Sequence, residues 1–167
     1  MRYVLLIATA AIAMALGAVA CGDGDDDDAG GLTGVREAIA QYQTTEQAQA
    51  AGWDLQEDLD QCFDKPGVGA MGFHYIDADR LDTVVDPLDP EAIIYAPDAN
   101  GDMELVAVEY IVPAEDWDAE GNDALPEAHG QSFHLNEELG VYVLHAWLFR
   151  ENPTGMFEDW NPDVSCP

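Results

Sequence analysis

Basic residues are the scarcest feature of this 167-residue sequence. Four arginines and a single lysine, Lys65, face 34 aspartates and glutamates, which gives a formal net charge of -29. Binding to nucleic-acid phosphates needs a concentrated basic footprint, whereas the arginines here are scattered along the chain. The composition therefore argues against a nucleic-acid partner. It predicts a strongly solvated, self-repelling surface that salt screens.

Motifs for nucleophilic catalysis and phosphate binding are also missing. Ser132 and Ser165 are the only serines, and neither lies in the Gly-x-Ser-x-Gly pattern of a nucleophile elbow. No glycine-rich loop opens a helix in the way that phosphate-binding loops do. Acidic residues are so numerous that no particular pair of carboxylates is singled out for glycoside hydrolysis.

The chain has no apolar run long enough for a membrane span, but its first residues have another recognisable pattern. The segment "MRYVLLIATAAIAMALGAVAC" (1–21) begins with Arg2, continues through small and aliphatic residues, and ends in Ala-Val-Ala-Cys. A basic start, an apolar middle and small residues before a cleavage point are typical of an export signal. A transmembrane helix would need roughly 20 apolar residues, so a single span is the weaker interpretation.

A cysteine directly after the small residues resembles the lipobox of bacterial lipoproteins, in which that cysteine is acylated, for example with palmitate. We predict a lipoprotein signal peptide over 1–20 and lipidation of Cys21, which would anchor an extracytoplasmic protein to a bacterial membrane. Ala18 departs from the leucine that is usual three residues before the cysteine, and simple secretion is the alternative. Gly22, in place of an aspartate, favours the outer membrane if the host has two membranes.

Glycine and aspartate dominate the residues that follow Cys21, in "GDGDDDDAGGLTG". Such a segment has little apolar surface to bury, so we expect an acidic, flexible tether over 21–33. The rest of the chain, 34–167, is long enough for one compact domain and too short for two.

Few cysteines remain once Cys21 carries lipid. The mature chain keeps Cys62 and Cys166, and export would place them in an oxidising compartment, where an even pair usually forms a disulfide. Two free, buried thiols are the alternative. We predict the bridge, because the "CP" end of the chain would otherwise fray.

Local patterns predict helices first and strands afterwards. Thr33 is expected to cap a short helix, and Thr44 with Gln47 forms a capping-box pattern before a second helix, which Gly52 can end. Apolar runs rich in β-branched and aromatic residues predict strands over 70–76, 92–96, 103–112 and 140–149. The fold class is therefore α+β, with short N-terminal helices packed on a mainly antiparallel sheet or a partly closed barrel.

Three polar side chains fall on apolar faces of these predicted strands. Strand alternation places Glu109 with Leu105, Ala107 and Ile111. The same alternation places His145 among valines and aromatic residues, and His74 among small and aliphatic neighbours. Burial of these groups would be costly unless each is paired.

Two histidines and a carboxylate are the ligand types of a metal site with open coordination positions, so His74, Glu109 and His145 are a candidate site for one divalent metal ion. The alternative is a buried, hydrogen-bonded cluster that only specifies the core. His129 and His134 flank "GQSF" (130–133) and are further candidates for completing a site. The sequence thus predicts a ligand- or metal-binding module, with a metal-dependent enzyme and a structural or envelope-interaction protein as alternatives.

The C-terminal residues repeat Asn-Pro at 152–153 and 161–162, which predicts an irregular strap that packs aromatic residues and covers a sheet edge. Together, "GAMGFHYID", "LVAVEYIV" and "LHAWLFRENPTGMFEDWNPDVSC" resemble a group of exported bacterial proteins, hypothetical lipoproteins, from Ala50 onward. The resemblance implies no established activity. It implies that the two histidines, Glu109-Tyr110 and the strap belong to one recurrent domain. Besides the membrane, we expect a small-molecule ligand or an envelope protein as partner.

Overall fold

The computed structural model describes residues 26–167, with side chains described from Gly31 onward. The predicted signal peptide and the lipidation of Cys21 lie outside the described residues. The helices are α1 (Asp26–Ile39), α2 (Thr45–Ala51) and α3 (Ala114–Ala119), and a short 3-10 turn covers Ala78–Arg80. The strands are β1 (Asp54–Leu55), β2 (Phe63–Lys65), β3 (Gly69–Ile76), β4 (Ala92–Pro97), β5 (Met103–Pro113), β6 (Glu127–Ala128), β7 (Gln131–Ser132), β8 (His134–Asn136) and β9 (Val141–Ala146).

The main sheet has the strand order β1-β3-β4-β5-β9-β8, and β2 also pairs with β3. Every one of these pairs is antiparallel. Strands β6 and β7 form a separate two-stranded ribbon. The predicted α+β class with a mainly antiparallel sheet is confirmed, and within the described residues the sheet stays open and does not close into a barrel.

The N-terminal helices follow local signals in part. Thr44 and Gln47 form the predicted capping box, and Gly52 ends α2 in the left-handed conformation. The first helix differs from expectation, since it begins at Asp26 and includes Thr33, which is therefore not its cap. The later part of the predicted tether is thus helical backbone.

One face of the sheet carries the helices and the largest part of the core. Val35 and Ile39 of α1 and Ala48 of α2 are buried in a cluster with aromatic and branched residues of β3, β4, β5 and β9. The hydroxyl of Tyr95 donates a hydrogen bond of 2.7 Å to the carbonyl of Tyr42 and so ties the sheet to the segment between α1 and α2. Burial of this apolar surface is the main stabilising contribution to the fold.

The opposite face of the sheet is covered by irregular segments. Two smaller buried clusters lie there: one includes Ile94, Trp147 and Val164, and the other includes Ile111 and Val143. The Asn-Pro segment, which we call the strap (152–167), covers the first cluster. This face, and not the helical one, bears the candidate site.

A disulfide joins Cys62 to Cys166 across a sequence separation of 104 residues, as predicted. The strap also bonds directly to the sheet, because Ala70 and Asn161 exchange two backbone hydrogen bonds of 3.1 Å. Gly69 allows this close approach, since a Cβ atom there would lie 2.2 Å from the carbonyl oxygen of Asn161. The end of the chain is therefore an ordered part of the domain.

Strand β9 ends at Ala146, earlier than the apolar run predicted, because the backbone amide of Trp147 donates to the carbonyl of Met156 in the strap. Among the described residues, no helix is long and apolar enough to span a membrane.

Candidate metal site

Sheet register brings the three candidate residues to one place. Glu109 on β5 lies directly opposite His145 on β9. On the other side Glu109 pairs with Ala92 of β4, and Ala92 pairs with Ile76 of β3. His74 is two residues before Ile76 and therefore shares its face. All three side chains stand on the face of the sheet opposite to α1 and α2.

The potential ligand atoms converge although they come from three strands. One nitrogen from each histidine and one oxygen of Glu109 lie within 4.8 Å of one another, and all three residues are buried. The distance from His74 Nε2 to Glu109 Oε2 is 3.5 Å. His74 and Glu109 come from the strands on either side of β4, on which the small residue Ala92 pairs with Glu109.

Burial shifts the pKa of each of the three groups in the direction that favours its neutral form. It raises the pKa of Glu109 to about 8, with smaller contributions from the charges of Asp159 and Glu91. It lowers the pKa of His74 to about 4. The pKa of His145 lies well below its ordinary value, again chiefly because of burial. Without a metal, His74 and Glu109 are therefore a neutral pair near pH 7, and their separation of 3.5 Å is long for a hydrogen bond.

Three of the four ring nitrogens of the two histidines have no hydrogen-bond partner within the described part of the chain. Both ring nitrogens of His145 and Nδ1 of His74 are buried without a hydrogen-bond partner. The backbone of Gly72 lies close to the His74 ring and raises its pKa, which partly offsets the lowering by burial. Its geometry with Nδ1 is nevertheless outside the range of a hydrogen bond. Buried polar groups are nearly always satisfied, so orphaned nitrogens in one cluster call for an explanation.

A metal ion is compatible with this geometry after a small contraction. Ligand atoms around zinc at 2.0–2.2 Å lie roughly 3.3 to 3.6 Å apart. The 3.5 Å between His74 Nε2 and Glu109 Oε2 already falls in this range. The other separations, none of which exceeds 4.8 Å, would shorten by at most roughly 1.5 Å. Two histidines and one carboxylate would satisfy part of the coordination shell and leave further positions open. Imidazole ligands favour zinc, copper, iron or nickel over magnesium and calcium.

His134 lies beside the site and not in it. It pairs with Val143 across β8 and β9, and its Nε2 is 3.2 Å from the carboxylate of Asp159 in the strap. Its side chain is 52% exposed, yet its charge contributes to the lowered pKa of His145. His129 is elsewhere, bonded at 2.8 Å to the hydroxyl of Tyr110, whose strand position faces the helical layer.

Asp159 has no local sequence signal, because it is one acidic residue among many in an irregular segment. Its charge raises the pKa of Glu109, and burial raises the pKa of Asp159 itself. Only the path of the strap over the sheet reveals that it borders the site.

A cavity of about 210 Å³ adjoins the three residues. His74 and Glu109 form part of its wall, and most of the remaining wall is apolar, including Phe63, Ile111 and Val143. His145 is not among the lining side chains, and its ring packs against Trp147 with centroids 4.7 Å apart. Two of the three candidate ligands therefore face a space that could hold a small molecule.

Glu91 is a second buried carboxylate that the sequence patterns did not single out. One of its carboxylate oxygens accepts a hydrogen bond of 2.8 Å from the backbone amide of Ile111. Burial nevertheless raises its pKa to about 7, and the charges of Asp82 and Asp89 add to this shift. Glu91 also affects Tyr110 and Glu109, whose pKa values it helps to raise.

Replacing Glu91 with glutamine should make stability less dependent on pH. The folded wild type holds the Glu91 proton more tightly than the unfolded chain does, so stability falls as pH rises from about 4.5 towards about 7. The free energy of unfolding of Glu91→Gln relative to wild type should rise by roughly 2 to 3 kcal/mol between pH 4.5 and pH 8. Urea titrations of both proteins at these two pH values measure this difference.

The exposed Glu138 offers a matched control, since Glu138→Gln removes the same charge from the surface. If the difference in free energy of unfolding between Glu91→Gln and wild type did not change with pH, the raised pKa of Glu91 would be contradicted.

Comparison of the chain with family models, curated proteins and solved structures finds no match. The resemblance to exported bacterial proteins therefore stays a prediction, and a function has to be inferred from the geometry of the site.

Proposed function

We propose that this protein is an exported, lipid-anchored module that binds one divalent transition-metal ion through His74, Glu109 and His145. The observation that carries the proposal is the convergence of three buried potential ligand atoms within 4.8 Å of one another. These residue types are typical ligands of zinc and of non-haem iron.

The orphaned nitrogens support a metal over a purely structural cluster. In a structural cluster, the three groups would satisfy one another's hydrogen bonds. Instead, neither nitrogen of His145 has a partner among the described residues. A coordinated ion would use one nitrogen of each imidazole and would stabilise the ionised form of Glu109, which burial otherwise disfavours.

Metal-dependent catalysis is a second candidate, and the adjoining cavity favours it. His74 and Glu109 line that cavity, so an ion held between them would have open positions directed towards a bound molecule. Such an ion could polarise a substrate oxygen or activate water.

Export and anchoring are the remaining parts of the proposal. The disulfide between Cys62 and Cys166 fits an oxidising compartment. The lipobox-like residues before Cys21 support acylation and attachment to the extracytoplasmic side of a membrane, where a small-molecule ligand or an envelope protein would be the partner.

Elemental analysis tests the metal site directly. Protein purified without a metal-affinity step, then exposed to zinc and desalted, should retain about one ion per chain. His74→Gln and Glu109→Gln should each lose at least about tenfold in zinc affinity, because each removes one of only three protein ligands. Competition with a zinc-binding dye measures the affinity.

His134→Gln is the control, because His134 neighbours the site without belonging to the ligand set. Circular dichroism shows whether each variant keeps its fold. Equal zinc retention by wild type, His74→Gln and Glu109→Gln would rule the site out.

A further inference from the structure

The cavity beside the candidate metal site has the size of a small organic molecule. Its volume of about 210 Å³ exceeds the roughly 150 Å³ of an engineered cavity that binds benzene, and it falls below the roughly 300 Å³ at which pockets for drug-sized ligands begin. It could therefore enclose one aromatic ring or a short aliphatic chain.

The walls of the cavity are suited to an apolar body with one polar end. Most lining side chains are aliphatic or aromatic, and the polar ones are His74, Glu109 and Asn136. Among the residues that the structure describes, no lysine or arginine lines it. An organic ligand with two or more charged groups would find no partner for its second charge in the cavity, and an unpaired charge is costly to bury.

The cavity has an apolar mouth. Leu81 and Leu139 line the cavity and are 37% and 47% exposed, respectively. Exposed apolar side chains grouped at an opening are a recurring feature of ligand-binding grooves. A molecule could thus enter without passing through the packed sheet.

The charge of the occupied metal site determines the chemistry of the head group. A divalent ion bound by one carboxylate and two neutral imidazoles keeps one uncompensated positive charge. A single anionic oxygen group on an open coordination position would neutralise that charge, and in the apolar surroundings this neutralisation is strongly favoured. Without the metal, the same anion would find no cationic partner among the described residues that line the cavity.

We propose that the cavity binds a small apolar monocarboxylate, with the carboxylate on the metal ion and the hydrocarbon body between Phe63, Ile111 and Val143. This inference rests on the proposed metal site. It makes ligand binding dependent on metal and makes affinity increase with the size of the apolar body, up to the volume of the cavity.

Isothermal titration calorimetry with acetate, benzoate and benzyl alcohol tests the proposal on protein whose zinc content has been measured first. Benzoate should bind the zinc-loaded protein at least tenfold more tightly than acetate, which has the same head but almost no body. Benzyl alcohol has a similar body without the charge and should bind more weakly than benzoate. Benzoate should not bind measurably after the zinc is removed with a chelator.

A cavity-filling variant separates the pocket from the metal. Val141 lines the cavity and is only partly buried, so Val141→Phe should retain zinc and lose the preference for benzoate over acetate. Val84 is 66% exposed and does not line the cavity, so Val84→Phe is the matched control and should keep both.

The outcomes distinguish the two proposals. If the protein binds zinc but has equal affinities for acetate and benzoate, the proposed carboxylate-binding cavity is refuted and the metal site is not. The same holds if benzoate still binds after the zinc has been removed. A protein that retains no zinc would overturn the metal site and this inference together.

Discussion

A His145→Leu variant is expected to be at least as stable as the wild type when both are free of metal, and to gain clearly less stability than the wild type when zinc is added. His145 is fully buried, and neither of its nitrogens has a hydrogen-bond partner among the described residues. An unsatisfied buried polar group costs about 1 to 3 kcal/mol, and leucine has a similar volume without polar atoms. The metal-free variant should therefore gain up to about 2 kcal/mol.

Zinc should stabilise the wild type more than the variant, because only the wild type has the complete ligand set. Binding to the folded state adds about 4 kcal/mol when the free ion is at 1,000 times its Kd. Thermal or urea unfolding measures the stability of each protein under both conditions, with excess zinc and with a chelator. His134→Leu, which changes a half-exposed neighbour, should respond to zinc as the wild type does.

The same pair of measurements tests the structural alternative. If His145 only specified the core, His145→Leu would lose stability with the chelator present, and zinc would shift both proteins equally. That result would refute the proposed role of His145 as a ligand.

Loss of the disulfide is the second large expected effect. The bridge closes a loop with a sequence separation of 104 residues, and chain entropy alone assigns about 4 to 5 kcal/mol to a loop of this length. A Cys62→Ser, Cys166→Ser double variant should lose roughly 4 kcal/mol, because the unfolded chain becomes less constrained. Urea unfolding without reductant measures this loss.

The position of the bridge predicts where the structure should loosen. Cys62 precedes Phe63, which lines the cavity, and Cys166 is the second-last residue of the strap, which covers Trp147. In the double variant, amide hydrogen exchange should therefore become faster in the strap and around residues 62–65 than in the wild type. The increase should be smaller in the strands β4 and β5.

Reductant provides the control for this prediction. Dithiothreitol should destabilise the wild type by a similar amount and leave the double variant unchanged. A loss below about 1 kcal/mol in the double variant would mean that the strap is held by its hydrogen bonds and apolar contacts and not by the bridge.

Local patterns predicted many elements of the fold correctly. Alternation and β-branched composition indicated β3, β4 and β5, the capping box with Gly52 delimited α2, and an even cysteine pair indicated the disulfide. Such features depend on residues close in sequence or on simple counting. Two boundaries were wrong: α1 begins before Thr33, and β9 ends early because the backbone amide of Trp147 bonds to the strap.

The sequence by itself determined which face of its strand each of His74, Glu109 and His145 occupies, since side chains alternate along a strand. It did not determine that they meet, because strand order and register set the neighbours across a sheet. For the same reason, the sequence did not reveal that Asp159 lies beside the site or that an apolar cavity adjoins it. Tertiary structure alone decided that three isolated polar residues form one buried cluster with unsatisfied nitrogens.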